Sequence, residues 1–198
     1  MTGRLHDAAA ATSPLDTVDW PVRTDRLVLR RLLPTDIPAI FAYRSVPEVS
    51  EWIGSAVTDV DAMADRFGDG STAVIVEHDG RVVGDLMVRV EDAWAQHEVA
   101  DGAVASQAEL GWTFDPGHRG RGLATEAVEA LLRICFDDLG LRRVVAECFT
   151  DNEPSWRLME RLMMRREAHH VKNSLHRDHG WQDEYLYALL AEEWRRRA

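Results

Sequence analysis

Apolar positions along the chain alternate between a spacing of two and a spacing of three to four, and each change marks an element boundary. The sharpest change lies between 109 and 136. Leu110, Trp112 and Phe114 alternate with smaller or polar residues, as in a strand. Asp115-Pro116-Gly117 breaks the alternation. From Leu123 the apolar residues fall at helical spacing, through Ala127, Val128, Leu131, Leu132, Ile134 and Cys135. This predicts a strand, a glycine-rich turn at Arg119-Gly120-Arg121-Gly122, and a long helix that Gly140 stops.

The same pattern places the other elements. Residues 1–22 are rich in Ala, Thr and Asp and read as a flexible lead-in, with partial docking as the alternative; residues 23–198 read as one domain. Arg26 to Arg31 is a first strand. Thr35-Asp36 can cap a helix through Ile40, Phe41 and Tyr43 that ends at Pro47; Thr58 can cap a second through Met63 to Phe67. Thr72–Glu77 and Val82–Val90 flank an Asp79-Gly80 turn and form a hairpin. Residues 91–106 read as a long loop. Arg143 to Phe149 is a near-continuously apolar buried strand. Asn152-Glu153-Pro154-Ser155 opens a helix with Trp156, Met159, Leu162 and Met163 inward. Strands at 165–171 and 182–190, joined by a His-rich connection, precede a short helix at 191–197. The order implies an α/β fold: a mixed sheet with helices on both faces, and a parallel crossover between 107 and 149.

Composition narrows the function classes. The chain has 198 residues, 45% of them hydrophobic, enough for one core. With 34 acidic and 23 basic residues the net charge is −11, and no basic stripe suggests a nucleic-acid footprint. The acidic surface suits a cationic acceptor, or serves only solubility. Cys135 and Cys148 sit in apolar segments and read as core residues. No run reaches membrane-spanning length and no signal peptide is evident, so a cytoplasmic protein is expected.

The glycine turn carries the chemistry. The first N–H groups of a helix lack intrahelical partners, and the helix dipole adds partial positive charge there. Gly120 and Gly122 remove Cβ atoms, so a ligand can reach those amides. A phosphate or diphosphate seat results, with Arg119 and Arg121 at its rim; a plain connecting turn is the alternative. A P-loop would need Gly-Lys-Ser/Thr, which is absent, and Gly120-x-Gly122-x-x-Thr125 only half matches a dinucleotide fingerprint.

Arg119-Gly120-Arg121-Gly122-Leu123-Ala124 resembles the Q/R-x-x-G-x-G/A signature of the GNAT acyltransferases. Thr125-Glu126-Ala127 and Asn152-x-x-Ser155 resemble the RimJ/RimL-like, ribosomal-protein N-acetyltransferase branch; the likeness runs from about Thr24 to the C-terminus. It implies acetyl-CoA as dissociable co-substrate, a primary amine as acceptor (a protein N-terminal α-amine, or a small molecule such as an aminoglycoside), and no metal. The strand before the signature would carry a bulge and splay from its parallel neighbour. Trp112 and Phe114 would lend backbone groups to pantetheine in that gap. The diphosphate would sit on amides from about Arg119 to Thr125, including those of Gly120, Arg121, Gly122 and Ala124. Asn152 would bind near pantetheine and Ser155 near the sulfur. Helix capping is the other reading of Asn152 and Ser155.

Acetyl transfer to an amine requires proton removal from nitrogen, stabilisation of the carbonyl oxygen and departure of the thiolate. No Ser-His-Asp or Cys-His order suggests a covalent intermediate, so direct attack in a ternary complex is expected. Glu109, a carboxylate at the start of the core strand, is the candidate general base; the alternative is an exposed Glu, or one paired with Arg142 or Arg143. Trp52 either overlooks the acceptor pocket or anchors an ordinary loop. His169, His170, His176 and His179 read as a solvated, pH-sensitive hairpin, not a metal site. Leu162 is followed by Met163-Met164 where the resembling proteins carry a glycine. A non-catalytic CoA-binding sensor is the rival function. Oligomeric state is not written in the sequence; a homodimer is expected from the resemblance alone.

Overall fold

A computed structural model describes residues 13–197. Among the described residues, eight strands form one sheet in the order β1-β2-β3-β4-β5-β6-β8-β7. They are β1 (Val22–Arg23), β2 (Leu27–Arg31), β3 (Ala73–His78), β4 (Arg81–Glu91), β5 (Gln107–Phe114), β6 (Arg143–Phe149), β7 (Arg165–His176) and β8 (Gly180–Leu190). The helices are α1 (Ile37–Arg44), α2 (Pro47–Ser50), α3 (Val60–Phe67), α4 (Leu123–Arg133), α5 (Glu153–Arg161) and α6 (Ala191–Arg195). All neighbouring strands are antiparallel except β5 and β6, which the α4 crossover makes parallel.

Strand alternation divides the core between two faces. Val74, Val76, Val88, Ala108 and Leu110 pack with α4 and α5 in the larger cluster. Ile75 points the other way, onto Ile37, Ile40 and Tyr43 of α1 and Met63 of α3. The mixed sheet with helices on both faces is therefore as expected.

Several local expectations are corrected. Of the lead-in, residues 1–12 lie outside the described residues, and from Ser13 the docked alternative holds: Leu15 and Val18 are buried in the larger core. The Ser13 hydroxyl donates to the Ser71 carbonyl at 2.5 Å. Asp59, not Thr58, caps α3, accepting from the Ala62 N–H at 2.8 Å. Asp36 makes no side-chain cap bond to α1; it is buried, takes both Arg30 Nη atoms at 2.7 and 2.8 Å, and accepts from the Leu33 N–H at 2.8 Å in the turn just before the helix. Pro47 opens α2, because a first-turn proline loses no helical hydrogen bond. Met163 is exposed with φ 56°, so it fills the left-handed slot where glycine was missed instead of facing inward.

β6 is not buried throughout. Val144, Ala146 and Cys148 are buried, but Glu147 is exposed and Val145 and Phe149 are only half-buried. α1 and α3 pack over the β3 side of the sheet, leaving this face of β6 open. β7 and β8 extend further than expected, shrinking the His-rich connection to residues 177–179.

Candidate active site

β5 and β6 separate at one point. Gln107, Ala108 and Glu109 pair with Arg143, Val144 and Val145, and the pairing then stops. Among the described residues, Leu110 to Phe114 continue without a strand opposite, while their other edge stays paired to β4 without a register break. The expected splay is present; the expected bulge is not, since β5 follows β4 residue for residue from Gln107 to Phe114.

The opening leads into a cleft of about 630 Å³. Trp112, Thr113 and Phe114 of β5 form one wall, and Asn152 with Ser155, Leu158 and Arg161 of α5 another. Arg119, Gly120, Gly122, Ala124 and Thr125 close its head, and Glu48, Val49, Trp52 and Ile53 of α2 and the following loop cover its side. Most of the residues singled out from the sequence thus converge. Arg121 and Glu109 do not line this cleft.

The head of the cleft has the electrostatics of an anion seat. Gly120 and Gly122 have φ 73° and 75°, left-handed values that glycine adopts freely. Among the described residues, no protein acceptor takes the N–H of Gly120, Arg121, Gly122, Leu123, Ala124 or Thr125. The free run is shorter than expected, because the Arg119 N–H bonds the Pro116 carbonyl at 3.2 Å. Arg119 adds its guanidinium, 3.1 Å from Glu48 across the cleft.

The α5 wall brings Ser155 beside Cys148. Burial pushes the Cys148 thiol up to about 11 despite a hydrogen bond with Ser155, so it stays a neutral thiol. Asn152 occupies the position before α5, but its side chain makes no cap bond. Capping by side chain therefore does not account for Asn152. Leu158 and Arg161 had not been singled out; they follow Ser155 at three-residue steps on one helix face, a signal present in the sequence.

Glu109 lies at the root of the splay. Its strand neighbours Ala108 and Leu110 are buried with α4, so alternation turns Glu109 to the opposite face. Its partner is Arg89, directly across on β4, and not Arg142 or Arg143; Arg143 pairs with Glu167. Burial raises the Glu109 carboxyl above the usual range, Arg89 opposes this, and Glu91 and Glu184 reinforce it. Glu147, though exposed, is likewise raised, by partial desolvation and then by Glu184 and Glu109. On the same face Trp52 and Phe149 approach with ring centres 6.5 Å apart.

The four histidines do not form one group. His169 contacts Asp183 at 2.7 Å, whereas His176 is buried with Nε2 at 2.9 Å from the Glu51 carbonyl. His176 thereby ties the β7–β8 turn to the loop that carries Trp52.

A family model described as an acetyltransferase (GNAT) domain matches residues 26–165. The chain belongs to the GNAT acetyltransferase family. This GNAT protein is 33% identical over 178 residues to an uncharacterized N-acetyltransferase, YnaD, of Bacillus subtilis (strain 168), covering 87% of this chain and 98% of that one. A GNAT-family acetyltransferase from Bacillus anthracis superposes with a TM-score of 0.75 at 30% identity, over 87% of this chain and 99% of the other. Mycobacterium smegmatis RimJ, solved in complex with CoA-disulfide, shares the fold with a TM-score of 0.69 at 23% identity, over 84% of this chain and 83% of its own. The GNAT chain is accordingly an N-acetyltransferase.

Proposed function

We propose that the protein transfers acetyl from acetyl-CoA directly to a primary amine in a ternary complex, and that a protein N-terminal α-amine is the favoured acceptor. The carrying observation is the run of amides from Gly120 to Thr125, unpaired among the described residues, at the head of a cleft bounded by a strand edge that no described strand pairs. The amides suit the diphosphate. The free edge of Leu110 to Phe114 suits the pantetheine amides, with Trp112 and Phe114 lending main-chain groups as an added strand would. Asn152 would hold the arm near Ser155.

The two sides of the splay divide the labour. Ser155 and the neutral Cys148 stand on the α5 side, where the thioester sulfur would lie. Glu109, Glu147 and Trp52 stand on the other side, where negative charge and an aromatic face suit an approaching ammonium group. Once deprotonated, the amine nitrogen attacks the acetyl carbon, the C–S bond breaks and the thiolate leaves. Glu109 would take the nitrogen's proton, and its raised pKa brings it closer to a working base. Ser155 would protonate the thiolate and be reprotonated by the second proton, which the acylated nitrogen releases as the amide forms. The shared fold of RimJ, whose structure holds a CoA-disulfide, is consistent with this carrier.

The test is thiol release from acetyl-CoA with a panel of amines that includes peptides with free α-amines and aminoglycosides. Release fastest with the peptides supports the reading. Release only with small amines would overturn the acceptor, and coenzyme A binding without release on any amine would favour a sensor. With an active acceptor, Glu109→Gln should lower kcat at least about tenfold while leaving the KM for acetyl-CoA nearly unchanged. An unaltered kcat would remove Glu109 as the base.

A further inference from the structure

Arg26 lies in the turn between β1 and β2, about a hundred residues from the glycine turn, and is held against its back. Its Nη1 donates to the Arg121 carbonyl at 2.8 Å. Its Nε donates to Glu126 Oε2 at 2.6 Å, and Nη2 lies 2.6 Å from the same oxygen. The other carboxylate oxygen, Oε1, accepts from the Thr24 hydroxyl at 2.5 Å and the Arg26 N–H at 2.9 Å. Arg26 does not line the cleft.

Two consequences follow for an anion at the head of the cleft. A trans peptide is planar, so the carbonyl of Arg121 and the N–H of Gly122 point in opposite directions. Holding that carbonyl on the Arg26 side turns the Gly122 N–H away from it. Gly122, with no Cβ to restrict its φ, would otherwise let this peptide rotate, presenting a carbonyl oxygen to the anion in place of an N–H. Glu126 stands in the first turn of α4, where its charge would compete with a bound anion. Burial tends to raise its pKa, but hydrogen bonds from Thr24 and Arg26 outweigh this and keep it ionised below the usual range. Its charge is thereby matched by Arg26 and directed away from the cleft.

We propose that Arg26 is a positioning residue for the diphosphate of the acyl carrier: it fixes the Arg121–Gly122 peptide with the Gly122 N–H facing the ligand, and it neutralises Glu126. This rests on the acetyl-CoA reading above. The test compares two donors, acetyl-CoA and acetyl-pantetheine, which has no diphosphate. Arg26→Ala should raise the KM for acetyl-CoA on the order of tenfold at unchanged kcat, the loss of one charge-assisted contact, and leave kcat/KM for acetyl-pantetheine unchanged. Arg26→Lys keeps the charge without the planar fork and should recover only part of the affinity. Adding Glu126→Gln to Arg26→Ala should also recover part, because the unmatched carboxylate is gone. Equal losses on both donors, or an unchanged KM for acetyl-CoA, would overturn the proposal. If Arg26→Ala does not fold, the Arg26→Lys comparison on the two donors decides in the same way. A wild-type protein that binds no coenzyme A by calorimetry would instead overturn the carrier reading itself, and this proposal with it.

Discussion

Gly84 of β4 lies directly across from Phe114 of β5, and the ring of Phe114 occupies the space a side chain at 84 would need. A Cβ there would meet Phe114 Cδ1 at 2.6 Å and the Thr113 carbonyl oxygen at 2.8 Å. Phe114 also lines the cleft, so a displaced ring alters it, and the carbonyl cannot move without disturbing the β4–β5 ladder. Gly84→Ala should therefore cost about 1–3 kcal/mol and lower Tm by several degrees. It should also raise the KM for acetyl-CoA. Gly111→Ala is the control, since its Cβ would meet Met87 at an ordinary 3.5 Å. Thermal denaturation and donor kinetics on both variants check this. Equal effects would show that the Phe114 contact is not responsible.

Asn152 separates ligand binding from helix capping. Replacing a capping Asn typically costs about 1 kcal/mol, but the Asn152 side chain makes no cap bond. Asn152→Ala should leave Tm within about a degree of wild type, because no cap is lost. The same variant should raise the KM for acetyl-CoA severalfold if the amide meets pantetheine. A clear fall in Tm with unaltered kinetics would restore the capping reading.

Local features were readable in the sequence where pattern and punctuation coincide. At 115–122 the alternation ends, glycines enter and helical spacing begins within a few residues, so strand, turn and α4 were all legible. Long-range pairing was not. Nothing near Glu109 shows that Arg89 stands opposite it, because that neighbour is set by the β4–β5 register. The point where β5 leaves β6 depends likewise on how α4 and α5 pack beneath them. Met163 misled because its place in the apolar series outweighs a left-handed backbone that only φ reveals. The Arg26–Glu126 contact joins two segments that each look ordinary. Glu48 to Ile53 reach the cleft through a short helix that Pro47 opens, where the pattern marks Pro47 only as the end of the helix before it.

Asp85 is buried on β4 and accepts from the Tyr43 hydroxyl at 2.7 Å and from Arg44 Nε at 2.8 Å. Arg44 Nη2 binds its other oxygen. Both partners sit on the last turn of α1, just before the α2 segment that covers the cleft. Asp85→Ala would leave the Arg44 cation without its counter-ion in a poorly solvated place, at about 3–5 kcal/mol. Arg44→Met combined with Asp85→Leu should be much less damaging, since no unpaired charge remains. Urea denaturation of the single and double variants checks the ordering. A double variant as unstable as Asp85→Ala would place the cost in lost packing.

Glu167 offers a pH-dependent signature away from the cleft. It sits at the irregularity in β7 between Arg166 and Ala168 and pairs with Arg143 of β6, the strand beyond β8. Arg143 donates to its two oxygens at 3.0 and 2.5 Å, and Arg165 Nη2 adds a third contact at 2.6 Å. The Arg143 hydrogen bonds, helped by Arg165, hold the carboxyl down to about 2, from an ordinary value of 4.5. A depressed carboxylate stabilises the folded state fully above its unfolded pKa, and this contribution is lost as pH falls toward its folded pKa. Wild type should therefore melt above Glu167→Gln by a constant margin from about pH 7 to about pH 5. That margin should narrow as pH drops below about 4.5, where the unfolded chain begins to take up the proton first. Because the pair is partly exposed, moderate salt should also reduce the margin. Melting curves of the two proteins across this range check the sign, and a margin that widens toward acid pH would show that Glu167 is not held ionised by Arg143.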